Sequence, residues 1–572
     1  MKKRTAWILA AGVTAVAVGA AAVGALALLV RRGPGLGLGG RSYLMVRLEG
    51  ELPEAPPGSD LETLFERRPP SLRAVVESID RAATDPRLTG LVLRVNSLPG
   101  SGWGKVQELR DAVLRFKRSN KPTWALLEYC GNKEYYLATA CSRIYALPTA
   151  LVGVSGLEAE VTFLRKTLDK LGVEAQFEGV GKYKNAPNQF TETGFTPPHR
   201  EQMDALLDSL YADYLEAIAR GRGKGFEEAR AIVDRGPFDA AGAKQAGLVD
   251  ELLYQDQLEE RLKGATRVTP TRYLRAARGF GFEHRPRVGL VYAVGEIVPG
   301  ESQAGGAFGG ETAGADTVAG ALRQARQDDD VRAILFRVDS PGGFGPSADA
   351  IWREVKLARQ KKPVVVSMGD YAASGGYYIA MGSDAIVAQP GTITGSIGVF
   401  SGKFNLRGLY DKIGFGKEIL VRGRHADIYS EYRPWTPEER AQIRAQMVVF
   451  YDDFVARVAE GRKMKEPAVD AIAQGRVWTG REAQQRGLVD QLGGLDTALA
   501  LAKKRAGIPQ GQQVSITIYP ERKGVLETLM ERQDENVLAS ATPSDLRAFL
   551  NWSRFLRDGI PVARLPFELR IR

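Results

Sequence analysis

The chain has 572 residues but only two cysteines and three histidines. So few cysteines exclude a disulfide scaffold and any all-cysteine metal site. None of the histidines, His199, His284 and His425, opens an HExxH motif, which excludes zincin chemistry. No Gly-x-Ser-x-Gly elbow and no Ser-x-x-Lys motif is present. A dominant charge is lacking too. Half of the formal net charge of +10 sits in Lys2, Lys3, Arg4, Arg31 and Arg32, and the rest is spread along the chain, so nothing points to a nucleic-acid partner. No metal or cofactor is implied.

What is there is globular in composition, 44% hydrophobic and 26% charged. At roughly 150 residues per domain the length suggests two to four domains. Thr5 to Val30 carries no charge. As a helix it would span about 39 Å, more than the roughly 30 Å hydrocarbon core. A cleavable signal peptide ending near Ala25-Leu26-Ala27 is the alternative, but the run exceeds the usual core of about 7–15 residues. Residues 1–32 are therefore expected to be an uncleaved anchor. Lys2, Lys3 and Arg4 outnumber Arg31 and Arg32, which keeps the N-terminus inside and puts the body outside the cytoplasm. Gly33 to Gly40 reads as a flexible tether.

The body is written twice. LVLRVNS (Leu91 to Ser97) matches ILFRVDS (Ile334 to Ser340) at an offset of 243. LDKLG (Leu168 to Gly172) matches YDKIG (Tyr410 to Gly414) at 242, and GLVD recurs at Gly247 and Gly487 at 240. A period this long means two homologous domains, not a solenoid. The expected division is a first copy over 33–265, a linker over 266–286, a second copy over 287–509, and a C-terminal extension over 510–572. That extension has no counterpart in the first copy and reads as a packed segment at a subunit contact. Short apolar strands alternate with helical stretches in each copy, which predicts an α/β fold with a largely parallel sheet.

Duplication permits an internal comparison, since residues serving only the fold can recur. At offset 242 Ser374 faces Asn132, Ser396 faces Val154 and Lys184 faces Ala426, whereas Lys182 faces the equally basic Arg424 and reads as a solvated charge. Ser374 lies between a strand and a helix in GDYAASGGYYIA, where it is either an N-cap or an exposed nucleophile. The glycines of SPGG, Gly342 and Gly343, are either an ordinary turn or a source of bare N–H groups for an oxyanion. The three histidines read as surface residues, which leaves a neutral lysine as the base. Burial would lower its pKa, and Lys184 in GKYKNAP is the candidate. Ser396 in TGSIG is either a turn serine or the group that orients that amine.

Taken together, GDYAASGGYYIA, VDSPGG, TGSIG and GKYKNAP, in a duplicated chain behind an apolar N-terminus, resemble the long, two-copy form of the signal peptide peptidase A family. The resemblance implies two tandem ClpP/crotonase-like domains and a serine protease with a Ser–Lys dyad assembled between the copies. Ser374 would be the nucleophile, Lys184 the base and Ser396 its orienting residue, with Gly342 and Gly343 holding the oxyanion. It implies remnant signal peptides and other apolar peptides as substrates. It also implies a lipid bilayer and further copies of the chain as partners, a tetramer forming a membrane-facing bowl on the periplasmic side of a bacterial inner membrane. The flank Asn185-Ala186-Pro187-Asn188 departs from the family's pattern beside the base. A crotonase-type acyl-CoA enzyme and a non-catalytic membrane scaffold of the same fold are the competing readings. Cys130 and Cys141, placed about 16 Å apart by an intervening helix, are expected to be free thiols.

Overall fold

A computed structural model describes residues 41–55, 69–277, 285–303 and 310–520, with two short strands at 562–564 and 570–571. The proposed anchor at 1–32, the tether, His284 and most of the C-terminal extension lie outside the described residues. Among the described residues no helix is long and apolar enough to cross a membrane.

The first copy contributes strands β1 (Ser42–Leu48), β2 (Leu88–Val95), β3 (Thr123–Cys130) and β4 (Arg143–Val152). It adds β5 (Glu174–Val180), which leaves this sheet, and β6 (Thr266–Val268). The order β4-β3-β2-β1-β6 is parallel throughout. Its helices include α1 (Leu72–Thr84), α2 (Trp103–Lys117), α3 (Asn132–Ala138), α4 (Pro197–Arg222) and α5 (Pro270–Ala277). The second copy supplies β7 (Arg287–Val294), β8 (Glu296–Val298), β9 (Val331–Ser340), β10 (Gly342–Phe344) and β11 (Val364–Ala373). They are followed by β12 (Ile393–Gly395), β13 (Val399–Asn405), β14 (Val477–Thr479) and β15 (Ser515–Tyr519). Its helices include α6 (Gly345–Arg359), α7 (Gly375–Ala380) and α8 (Pro437–Arg462). The order β14-β12-β11-β9-β7-β15 repeats the first sheet's plan.

Helices on both faces bury these sheets, which is why β9 reads as the near-continuous apolar run VRAILFRV. The helices start on readable signals. Thr436 caps α8 through the Glu439 N–H, and the Glu439 carboxylate returns to the Thr436 N–H, with Pro437 fixing the first turn.

A third sheet joins the copies. β5 runs antiparallel to β13 with Glu174 to Val180 opposite Asn405 to Val399. Phe177, Phe190, Phe400 and Phe404 pack beneath it with ring centroids 5.3–6.2 Å apart. Burying each such ring is worth about 1.5–3 kcal/mol. This seam carries the chain from β5 directly into the segment that holds Lys184. The same sheet includes β8, β10 and a last strand, β16 (Val562–Arg564), antiparallel to both β10 and β13.

Three sequence readings need correction. The segment from Thr266 is not a plain linker, because β6 pairs with β1 and α5 packs against α1, so the first copy runs on to at least Ala277. The C-terminal extension does have a first-copy counterpart at its start, since β15 pairs with β7 as β6 pairs with β1. His199 is not a surface residue. It lies in the first turn of α4, 1% exposed, against the rings of Phe163 and Phe195. Cys130 and Cys141 are free and buried as expected, although the helix between them spans the seven residues of α3 alone.

Candidate active site

β11 ends at Ala373 and α7 begins at Gly375, which leaves Ser374 on the bend with φ 56°. Its side chain makes no capping hydrogen bond. The hydroxyl instead meets Lys184 Nζ at 2.7 Å, across 190 residues of sequence and from the other copy. The backbone holds the bend rigidly. Ser374 N–H donates to the Gly395 carbonyl at 2.7 Å, and Tyr378 N–H to the Ser374 carbonyl at 2.8 Å.

Lys184 Nζ also lies 3.0 Å from Ser396 Oγ and 3.1 Å from the Ser396 carbonyl oxygen. Ser374 and Ser396 are fully buried and Lys184 is 6% exposed. Burial pushes the Lys184 pKa well below the ordinary lysine value, and no ion pair among the described residues opposes the shift. A neutral amine has two N–H donors and one lone pair. Its three contacts match that inventory when the two donors go to Ser396 and the lone pair accepts from the Ser374 hydroxyl.

A loop that the sequence did not single out builds the floor. Tyr183 N–H donates to the Gln474 carbonyl at 2.8 Å, and Ser396 N–H to the Arg476 carbonyl at 2.7 Å. Between them Gly475 has φ +75°, and a Cβ there would stand 2.5 Å from the Lys184 backbone nitrogen. Only glycine permits this approach.

The glycine loop lies beside the serine's helix. Gly342 and Gly343 take φ 98° and 156°, and a Cβ on Gly343 would stand 2.1 Å from the Ile297 carbonyl oxygen. Gly342 N–H donates to Ser340 Oγ at a long 3.2 Å. The strand β16 lies along this loop, with Gly342 opposite Arg564 and Gly343 opposite Ala563.

In the first copy the corresponding place is closed. Asn132 Oδ1 accepts from Ser155 N–H, Gly156 N–H and the Tyr214 hydroxyl, and its Nδ2 donates to the Gly156 carbonyl. Val154, facing Ser396, is fully buried. Lys182 is exposed, with its amine over the Tyr183 ring. His425 stands near Glu439, with Nδ1 3.6 Å from Oε1, and His199 lies against Phe163 and Phe195.

Peptidase family S49 matches this chain twice, over residues 115–269 and 356–509. The chain is 36% identical over 460 residues to the chloroplastic serine protease SPPA of Arabidopsis thaliana, covering 78% of this chain and 67% of that protein. It is 32% identical over 497 residues to Protease 4 of Salmonella typhi, covering 84% and 78%. A shorter match, 38% over 184 residues, covers 32% of this chain and 54% of a putative signal peptide peptidase SppA of Enterococcus faecium. With both copies matched and most of the length shared with such relatives, the chain belongs to peptidase family S49 and is a serine protease.

Proposed function

We propose that Ser374 is the nucleophile of an endopeptidase and that Lys184 is its general base. The carrying observation is the 2.7 Å contact between a buried lysine amine and a serine hydroxyl held on a strained bend. Neutral Lys184 takes the hydroxyl proton as Ser374 Oγ attacks the peptide carbonyl carbon. The resulting oxyanion is received by the glycine loop. A developing negative charge is a stronger acceptor than the Ser340 hydroxyl and displaces it from Gly342 N–H. Protonated Lys184 then gives its proton to the leaving amine, which departs as the C–N bond breaks. Water, deprotonated by the same amine, attacks the acyl-enzyme, the ester C–Oγ bond breaks, and Ser374 Oγ leaves with the proton returned by Lys184, which frees the carboxylic acid product and restores the dyad. Ser396 holds the amine in register throughout.

The substrate is an extended peptide. Residues 562–564 pair antiparallel with β10, the geometry in which an extended substrate would lie along the glycine loop in their place. An apolar N-terminal run and the name of the Enterococcus relative favour remnant signal peptides as the class. The remaining elements of the reading are two ClpP/crotonase-like domains, a single N-terminal anchor in a bacterial inner membrane, the body on the periplasmic side, and a homotetramer facing the bilayer. The acyl-CoA and scaffold alternatives leave the Lys184–Ser374 contact without a use.

A fluorophosphonate probe tests the core of this reading. Peptide mapping should place the label on Ser374, and Lys184→Ala should abolish labelling. A label elsewhere, or none on active enzyme, sinks the assignment. For the anchor, a C-terminal alkaline phosphatase fusion should be active and sediment with membranes, and an inactive or fully soluble fusion counts against it.

A further inference from the structure

The first copy grips the serine's strand at a second point, away from Lys184. Its turn Gly102-Trp103-Gly104-Lys105 opens α2, the counterpart of α6, and both helices have 15 residues. In the second copy this place follows the glycine loop. In the first, it is turned onto the sister copy. Gly102 N–H donates to Asp370 Oδ2 at 2.7 Å and Lys105 N–H to Asp370 Oδ1 at 2.8 Å. The carboxylate thereby occupies N–H groups that a helix start leaves unpaired. A Cβ on Gly102 would stand 2.5 Å from Asp370 Cγ, and one on Gly104 would stand 2.6 Å from the Gly369 carbonyl oxygen. Both glycines are needed for the approach.

Lys105 Nζ then reaches across two strands. It lies 3.0 Å from Asp339 Oδ2, 3.7 Å from Asp370 Oδ2 and 3.9 Å from Glu54 Oε2. Asp339 immediately precedes Ser340 and the glycine loop, and its Oδ1 accepts from Tyr371 N–H at 3.0 Å. Asp370 and Tyr371 lie just upstream of Ser374 on β11. Lys105, Asp339 and Asp370 are each less than a tenth exposed. The sister positions carry Ser347, Asn96 and Glu128, so the cluster is not a repeated feature of the fold. Burial opposes the charge on Lys105, but Asp339, Asp370 and Glu54 outweigh it and raise its pKa, so the cation persists.

We propose that Lys105 is a positioning residue for peptide hydrolysis: by bridging Asp339 and Asp370 it fixes the spacing between the Gly342–Gly343 loop and the Ser374 hydroxyl. The proposal rests on the assignment of Ser374 as nucleophile and of that loop as oxyanion site. Without the cation, two buried carboxylates on neighbouring strands repel each other where one strand leads into the loop and the other into the serine. Lys184 and Ser396 are held by other elements, so proton transfer is left in place while the oxyanion site shifts. A misplacement of about 1 Å is enough to cost on the order of 100-fold in rate.

The test uses Lys105→Met, Lys105→Arg and Asp370→Asn in the full-length membrane enzyme, with active sites counted by end-point fluorophosphonate labelling. For Lys105→Met, kcat per labelled site should fall about 10- to 100-fold, with KM within about 3-fold. The inhibition constant of a peptide boronate, whose adduct is tetrahedral, should rise by the same factor. Lys105→Arg should recover most of the loss, and Asp370→Asn should move both constants in the same direction by less. If kcat per labelled site is unchanged, or falls without any change in boronate affinity, the positioning role is wrong. Should Lys105→Met fail to accumulate, Asp370→Asn decides by the same two constants. Absence of label on Ser374 in the parent would instead defeat the site assignment itself, whatever Lys105 does.

Discussion

Ser374 and Ser396 are both held at positive φ, 56° and 51°, and their hydroxyls converge on the one amine of Lys184. Non-glycine residues in this region cost about 1–3 kcal/mol each. At both positions the strained bend aims a serine hydroxyl at a lysine from the other copy. Their backbones are tied down to match, Ser374 to Gly395 and Ser396 to Arg476.

The first prediction concerns pH. As the proposed base, Lys184 can act only when neutral, so kcat/KM on a peptide should rise with pH through its lowered pKa and then level off. Ser374→Ala, Lys184→Ala and Lys184→Arg should each lose about 1,000-fold or more, and Ser374→Ala combined with Lys184→Ala should lose no more than either alone. Arginine keeps the charge but cannot give up its proton. A flat profile, or appreciable turnover by Lys184→Arg, contradicts the role.

A second prediction separates Ser396 and Lys182 from the dyad. Ser396→Ala removes an oxygen that can accept from the protonated amine but leaves the Ser396 carbonyl in place. The apparent pKa in kcat/KM should move down, and the plateau should fall roughly 10- to 100-fold. Lys182→Ala should match the parent, because its amine is exposed and lies over the Tyr183 ring. Loss of activity in Lys182→Ala with activity kept in Lys184→Ala would assign the base to the wrong lysine.

Much of this site is legible in the sequence, and the reason is the duplication. Ser374, Ser396 and Lys184 stood out because Asn132, Val154 and Ala426 occupy the sister positions. The rest carries no local pattern. Gly475 and Lys105 act on partners hundreds of residues away, and only the fold brings them together. A doublet of glycines around Trp103, just after the place of the sister copy's glycine loop, is the available signal for Lys105. Thr196-Pro197-Pro198 looks like a loop and so puts His199 on the surface in the sequence, although proline in the first turn after a threonine at the N-cap is equally a helix start. β6 reads as linker in the sequence because three residues are too few for an alternation to show.

A third prediction targets the loop that the sequence did not reveal. Gly475→Ala places a methyl 2.5 Å from the Lys184 backbone nitrogen and 2.6 Å from its Cβ, at a φ of +75° that alanine resists. The backbone of Lys184 must retreat, drawing its amine from Ser374. Turnover should fall at least 10-fold while the far-ultraviolet circular dichroism spectrum stays that of the parent. Parent-like kcat in Gly475→Ala would show that the loop does not set the lysine's position.

The last prediction concerns stability, where the site's chemistry acts against the fold. Lys184 has a pKa lowered by burial, so the unfolded chain binds a proton that the folded chain gives up. Wherever the unfolded state holds more protons, stability rises with pH. The window runs from the lowered folded pKa up to the unfolded value near 10.5. Below that window the cost is present in full, and above it the cost is gone. Lys184→Met keeps the length of the side chain and removes the titration. It also leaves the two serine hydroxyls short of a partner, a penalty that does not depend on pH in this range. The thermal midpoint of Lys184→Met minus that of the parent should therefore be largest at low pH and shrink steadily towards pH 10. Each kcal/mol relieved should move the midpoint by roughly 2–4 °C, on the scale of a 150–250-residue domain. The variant should be inactive at every pH. A difference in midpoint that stays constant from pH 6 to pH 10, or grows, would mean that the lysine folds with its proton on, and the neutral base would have to be abandoned.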